Sequence, residues 1–274
     1  MIPAFLLALR EGLEATLILG MVIGVLHRVG RPEQGRIVWL GAGLAALVSL
    51  GAAMGLYVMG ISFEGQAEEV FEGMAMLLAA GVLTWMIFWM DRQGRVIQTE
   101  LEKDVRRAAL GGGQWALFSL AFVAVLREGI ELALFLTAAT FTTTAWATLV
   151  GGILGLAAAV LAGWLLFAST SRLDVRAFFQ VTSILLIFFA AGLVAHGVHE
   201  LNEAGTIPAI VEHVWDMNPV LDEDSGLGQI LKTLFGYNGN PSLTEVMAYA
   251  GYWAIVLLVL RHRRVQMKPA AAQA

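Results

Sequence analysis

Long apolar stretches alternate with short polar ones along the whole chain. Windows of about twenty apolar residues, the length that crosses a bilayer as a helix, fall at 2–26, 37–59, 70–90, 115–137, 147–168, 178–199 and 243–260. The pattern predicts an all-α polytopic membrane protein with seven transmembrane helices. Two of these stretches are broken near their middle by the same polar pattern. The first reads Leu9-Arg10-Glu11-Gly12-Leu13-Glu14 and the second Leu126-Arg127-Glu128-Gly129-Ile130-Glu131. Each charge inside a span costs roughly 2.5–3.5 kcal/mol on insertion scales. A chain that carries this cost twice, in the same pattern, is built to handle something charged.

Composition agrees with the pattern. The 274 residues are 58% hydrophobic and 14% charged, with mean hydropathy +0.73; soluble domains average about 25% charged residues. No basic residue precedes the first apolar run, and Arg10 and Glu11 interrupt it, so it reads as a first span rather than a leader. The chain has no cysteine, which excludes disulfides and thiolate metal sites.

The placement of charge predicts orientation. Arg28, Arg31 and Arg36 follow span 1; Arg92, Arg95, Lys103, Arg106 and Arg107 follow span 3. Arg172 and Arg176 follow span 5, and Arg261, Arg263, Arg264 and Lys268 follow span 7. All of these fall on one side, and only Lys232 falls on the other. The positive-inside rule then puts the N-terminus outside and the C-terminus in the cytoplasm. The outer side carries Glu64, Glu68, Glu69 and Glu72 before span 3. It also carries Glu200, Glu203, Glu212, Asp216, Asp222, Glu223 and Asp224 around the long loop after span 6. Such a face concentrates cations, although acidic outer loops are also what the positive-inside rule leaves behind.

Spans 1–3 and 4–6 form an internal repeat. Each unit opens with the Arg-Glu-Gly-x-Glu helix, continues with a helix rich in small residues, and has Ala-Ala-Gly in its third, at 79–81 and 190–192. Three spans is an odd number, so the second unit enters from the opposite side. This predicts two inverted three-helix repeats plus a seventh helix, with a pseudo-two-fold axis in the membrane plane. The expected segments are a first repeat at 1–95, a cytoplasmic loop at 96–114 and a second repeat at 115–200. An extracytoplasmic acidic loop at 201–242 and the seventh helix with its basic tail at 243–274 complete the chain. Gly51 and Gly55 in span 2, and Gly151, Gly155, Ala159 and Gly163 in span 5, predict close helix contacts. Trp85 and Trp89 read as interfacial anchors.

On a helix, Glu11 and Glu14 project from one face, and Arg10 reaches Glu14 four residues on; the second motif repeats this with Glu128, Glu131 and Arg127. Inverted symmetry can bring the motifs face to face, giving four carboxylates and two guanidiniums. A multivalent cation supplies the missing charge. Oxygen-only ligands suit hard ions such as Mg²⁺, Ca²⁺, Mn²⁺ and Fe³⁺. The plainer reading is two intrahelical Arg–Glu pairs, which leaves Glu11 and Glu128 unexplained; a proton relay is a further alternative. A second group lies at the outer end of span 6, where His196, His199, Glu200 and Glu203 form one helical stripe. With Glu68, Glu69 and Glu72 of span 3 it forms a candidate entry site, against the plainer reading of a solvated helix end. No nucleotide-binding loop and no hydrolase motif occurs. Nothing points to an enzyme, to nucleic-acid binding or to a permanently bound cofactor.

Two Arg-Glu-Gly-x-Glu motifs in spans 1 and 4 of such a chain resemble the oxidase-dependent iron permease family, which has fungal high-affinity and bacterial inner-membrane branches. The stretch from Met1 to Ala15, Glu69-Val70-Phe71-Glu72-Gly73, Leu83 to Met90 and Phe235-Gly236-Tyr237 look most like the bacterial branch. The resemblance covers nearly the whole chain. It implies uptake of iron as the transported substrate, as Fe³⁺ after oxidation of Fe²⁺ outside, across a bacterial inner membrane. It implies Glu11, Glu14, Glu128 and Glu131 as metal-coordinating residues with Arg10 and Arg127 as supporting charges. It also implies periplasmic iron-oxidising or iron-delivering partners. Glu69 and Glu72 match the family's acidic outer motif in general character, and the His196/His199 stripe is not part of the resemblance. Two other readings stay open: a transporter of another divalent cation such as Mn²⁺ or Pb²⁺, and a non-transporting membrane anchor of a redox complex.

Overall fold

The computed structural model describes residues 1–168, 175–223 and 225–267, and within them the side chains outside 91–99, 101–102, 112, 167–168, 175–176 and 263–267. Arg172, Asp224 and Lys268 therefore lie outside the described residues, as do the side chains of Arg92, Arg95, Arg176, Arg263 and Arg264. Among the described residues the structure is α-helical with no strand. The helices are α1 (Ile2–Arg28), α2 (Gly35–Ser62), α3 (Gln66–Arg107), α4 (Gly113–Thr142), α5 (Ala145–Ala168), α6 (Val175–Glu203), α7 (Gly226–Phe235) and α8 (Leu243–Met267).

Five segments are long and apolar enough to cross a membrane: Pro32–Ser62, Gln66–Met90, Ala145–Leu166, Ala177–Glu203 and Leu243–His262. α1 and α4 are as long, at 27 and 30 residues, and differ in carrying the three charges of the repeated motif. The outward faces are apolar. Trp39, Leu40, Leu47 and Leu50 on α2, Val160, Leu161 and Trp164 on α5, and Leu257 and Leu258 on α8 are exposed. A surface of this kind suits hydrocarbon rather than water. The chain is a polytopic membrane protein.

The helices pair across the two halves of the sequence. α1 packs on α5, α2 on α4, and α3 on α6, whereas helices adjacent in sequence touch little. Small residues make these contacts. A Cβ added at Gly151 would meet Met1, Ala4 and Phe5, and one added at Gly41 would meet Phe118, Ala121 and Phe122. Likewise Gly12 lies against Ala159, and Gly129 against Ser49. The correspondence is regular: Met1, Ala4, Phe5 and Gly12 map onto Phe118, Ala121, Phe122 and Gly129, while Gly41 and Ser49 map onto Gly151 and Ala159. The glycine of each Arg-Glu-Gly-x-Glu motif is thus one of the points where a partner helix from the other half comes close, which a side chain would prevent.

Three expectations need correction. The stretch 96–114, expected as a loop, is mostly helical: α3 runs on to Arg107 and a wider five-residue turn at Ala108–Gly112 leads into α4. Apolarity stops near Met90, but residues 96–107 are mainly helix formers without proline or glycine. The segment 201–242, expected as an extracytoplasmic loop, holds a helix, α7, opened by Ser225, whose Oγ accepts from the Gly228 N–H at 3.0 Å, and closed by Gly236 at φ +70. Gly236 packs backbone to backbone on Gly192 of α6. Finally, Gly51 and Gly55 face open space; the packing stripe of α2 is Gly41, Ala45 and Ser49. The small stripe of α5 does pack as expected, Gly155 on Phe5 and Ala8, and Gly163 on Thr16. α6 ends at Glu203, followed by Gly205 at φ +67.

The core lies where α1, α3, α4 and α6 meet, around Leu7, Met76, Leu83, Met86, Phe135, Leu186, Phe189 and Leu193. A second cluster at the other end joins Val22, Val25 and Leu26 to Val38, Val105, Leu117 and Ala121. The two motif helices pass between these apolar layers.

Candidate metal centre

α1 and α4 touch where their motifs face one another. Glu11, Glu128 and Glu131 each offer a carboxylate oxygen, and these three oxygens lie within 4.8 Å of one another. Ligand oxygens at 2.0–2.6 Å from a hard cation are about 4–5 Å apart when opposite one another, so the spacing suits a single ion. Glu11 and Arg10 are each only 1% exposed, and Glu128 and Glu131 are buried.

Hydrogen bonding leaves the trio short of donors. The Arg10 Nε donates to Glu14 Oε1 at 3.2 Å and lies 3.9 Å from Glu11 Oε1, too far for a hydrogen bond. The Arg127 Nε donates to Glu131 Oε1 at 2.9 Å. Both oxygens of Glu11 and the Oε2 atoms of Glu128 and Glu131 are buried without a hydrogen-bond partner. Buried carboxylate oxygens without donors are costly, and four of them in one cluster call for a positive charge.

Of the four carboxylates expected at the centre, the structure thus gathers Glu11, Glu128 and Glu131. Glu14 is turned to Arg10 and stands outside the trio. The two arginines differ as well. Arg10 is enclosed, with NH1 3.5 Å from Ser183 Oγ and NH2 3.4 Å from Met90 Sδ. The Arg127 side chain is 39% exposed and its guanidinium carbon lies 4.7 Å over the Trp89 ring. Trp89 reads as an anchor in the sequence; nothing local in the sequence marks it as the partner of a charge 38 positions away.

The outer stripe is divided. Glu200 faces α3, where it and Glu68 and Glu69 are the charged neighbours of Glu72. His199 reaches Glu203 and Glu245: Nε2 lies 3.5 Å from Glu203 Oε1 and Nδ1 lies 3.4 Å from Glu245 Oε2. His196 bonds through Nδ1 to the Gly192 carbonyl at 3.0 Å, and its buried Nε2 has no partner. Of the seven residues expected at an entry site, Glu68, Glu69, Glu72 and Glu200 are charged neighbours, His199 and Glu203 form an ion pair beside Glu200, and His196 lies inside the packing. Helical periodicity placed the stripe on one side of α6, but α8 and the outer segment cover half of that side.

Glu245 is absent from the sequence reading. It is buried, and both of its oxygens accept from Asn238 Nδ2, at 3.1 and 3.0 Å. Its signal is a capping box, Ser242-Leu243-Thr244-Glu245. The Glu245 N–H donates to Ser242 Oγ at 3.1 Å, and the Ser242 hydroxyl donates to Asn202 Oδ1 at 2.7 Å. These bonds tie the start of α8 and the outer segment to the end of α6.

Comparison with known proteins gives the family. The profile of the Iron permease FTR1 family matches residues 1–268. The chain belongs to the iron permease FTR1 family. Among its relatives, the ferrous iron permease EfeU of Escherichia coli O6:K15:H31 (strain 536 / UPEC) is 38% identical over 267 residues, covering 96% of this chain and 97% of that protein. The ferrous iron permease EfeU of Escherichia coli O157:H7 is 38% identical over 254 residues, 92% of each chain. The ferrous iron permease EfeU of Yersinia pestis is 35% identical over 269 residues, 96% of this chain and 95% of that one. No solved structure matches the chain. The family and these relatives are named as permeases, transporters rather than enzymes.

Proposed function

We propose that this protein is a secondary iron permease of a bacterial inner membrane, in which Glu11, Glu128 and Glu131 hold the iron in transit. The observation that carries the reading is the buried carboxylate trio with four oxygens lacking donors. Glu14 is a fourth carboxylate one helical turn from Glu11 and exchanges its Arg10 bond for the ion as the ion moves on. The family membership and the relatives' names support iron as the cargo.

α1 and α4 join the five apolar spans, giving seven crossings, with the N-terminus outside and the basic tail in the cytoplasm. Residues 1–95 and 115–200 act as two inverted units, joined by 96–114. The exchange of packing partners, α1 with α5 and α4 with α2, supports this symmetry. Segment 201–242 and α7 cover the outer side, and 243–274 forms the last span and tail. Iron gathers at Glu68, Glu69, Glu72 and Glu200, passes to the trio, and leaves inward as one unit rocks against the other. A cytoplasm-negative potential favours this direction by about 2.3 kcal/mol per charge per 100 mV.

An all-oxygen donor set suits Fe³⁺, delivered after oxidation outside by periplasmic partners. The relatives' names favour a second reading, with Fe²⁺ as the transported ion. Radio-iron uptake into proteoliposomes tests both. Fe³⁺ chelate and Fe²⁺ under reductant are compared, each against Mn²⁺ competition, in wild type, Glu11→Gln and Glu131→Gln. The expected result is iron uptake that both substitutions abolish and Mn²⁺ displaces poorly. Unchanged uptake in both variants would remove the trio from the pathway, and the preferred valence chooses between the two iron readings.

A further inference from the structure

The two motifs match in sequence and in helix packing, yet their arginines are held differently. Arg10 is sealed in the core with Glu14, Glu11, Ser183 and Met90 around it. Arg127 is half-exposed, and it rests between one carboxylate and one aromatic face: the Nε–Glu131 bond at 2.9 Å and the Trp89 ring at 4.7 Å. Trp89 is itself stacked on Trp85, with ring centroids 5.9 Å apart, which fixes the height of the indole. A guanidinium is planar and weakly hydrated, so an aromatic face holds it well. The other five charges of the two motifs are enclosed, so Arg127 is the one that can leave without repacking the core.

Glu131 belongs to the carboxylate trio. While Arg127 donates to its Oε1, only Oε2 of Glu131 is without a donor. If Arg127 swings out to its exposed side, Glu131 contributes its full charge and a second oxygen. The strength with which the trio holds a cation is therefore set by where Arg127 stands.

Resting on the iron-permease reading above, we propose that Trp89 is a positioning residue that holds Arg127 against Glu131 and thereby keeps the central site weak enough to release its ion. Removing the aromatic face lets Arg127 depart, raises the affinity of the trio and slows release. A cation–π contact in a partly desolvated place corresponds to an affinity change of about threefold to tenfold.

The test is iron uptake by proteoliposomes and equilibrium binding of radio-iron to the detergent-solubilised protein, for wild type, Trp89→Leu and Trp89→Phe. Trp89→Leu is expected to lower KM and Kd by about threefold to tenfold while Vmax also falls. Trp89→Phe, which keeps a ring face, stays near wild type. A KM for Trp89→Leu within about twofold of wild type overturns the proposal, and so does a Phe variant that changes as much as the Leu variant. If the wild type neither binds nor transports iron, the functional reading fails instead. The Trp89–Arg127 link is then decided by thermal melting of Trp89→Leu, Arg127→Met and the double variant: non-additive midpoints uphold it and additive midpoints overturn it.

Discussion

Gly12 gives the sharpest test of how helix packing supports the centre. In Gly12→Ala the new Cβ would sit 2.7 Å from Ala159 Cβ and 3.1 Å from Leu156 Cδ2. Carbon atoms pack best at about 3.5–4.0 Å, and a Cβ cannot rotate away from its backbone. α5 must therefore retreat by about 1 Å along the whole contact. Overpacking of this size costs about 1–3 kcal/mol, offset by roughly 1 kcal/mol for replacing a helical glycine by alanine. The expected net loss is up to about 2 kcal/mol, which lowers the melting midpoint by up to about 8 °C for a chain of this length. Glu11 adjoins Gly12, so the share of the displacement taken up by α1 moves Glu11 against Glu128 and Glu131, and iron uptake falls with stability. The decisive measurement is a double-mutant cycle with Ala159→Gly, followed by thermal melting in detergent and by uptake. Ala159→Gly removes the carbon that the new Cβ of Gly12→Ala would strike, so the double variant regains about the native contact volume. A coupling of about 1–3 kcal/mol is expected. Additive melting shifts, or a double variant no better than Gly12→Ala, would refute the argument that this glycine sets the distance between α1 and α5.

The remaining predictions concern other contacts. Gly41→Ala, whose Cβ would meet the Phe118 carbonyl oxygen at 2.7 Å, is destabilising by about 1–3 kcal/mol, whereas Gly51→Ala and Gly55→Ala, which face open space, are neutral or stabilising in the same melting assay. Arg10→Met leaves buried carboxylates without their cation and costs about 3–5 kcal/mol; Arg127→Met, at a half-exposed position, costs less, as parallel melting curves show. Glu245→Ala strands Asn238 and His199, loosens the outer segment by about 1–3 kcal/mol, and raises its cleavage rate in limited proteolysis. Partial burial pushes the Glu223 carboxyl up, but the Lys232 ammonium and the Gly239 N–H, at 3.0 and 2.9 Å, outweigh it and hold the group below the usual carboxylate range. Its contribution is therefore complete above the unfolded value of about 4.3 and is lost as pH falls through the lower folded value. Hydrogen exchange across 222–239 should accelerate on acidification in wild type and be insensitive to it in Glu223→Gln.

Much of this molecule is legible in one dimension. Hydropathy is a property of consecutive residues, so the positions of the apolar helices follow from counting; α1, α2, α4, α5 and α6 begin and end within about five residues of the expected spans, and α8 begins where expected but runs on to Met267. The repeated motif is equally local. Its two copies announce paired carboxylates on facing helices, and the structure brings Glu11, Glu128 and Glu131 together. Helix continuation was less visible, because the end of apolarity at Met90 is not the end of helix propensity, and α3 runs on to Arg107.

What the sequence could not determine is which residues of a symmetric pattern end up unequal. Glu14 and Glu131 are equivalent in their motifs, yet only Glu131 stands in the trio. Arg10 and Arg127 are equivalent too, yet one is sealed and the other leans on Trp89. Gly51 and Gly55 have the spacing of a packing stripe, but the rotation of α2 about its axis turns Gly41, Ala45 and Ser49 to α4 instead. These choices depend on distances between helices far apart in the chain. Composition and periodicity constrain each helix by itself, while the burial of a charge, and the partner it finds there, are fixed only when all the helices pack together.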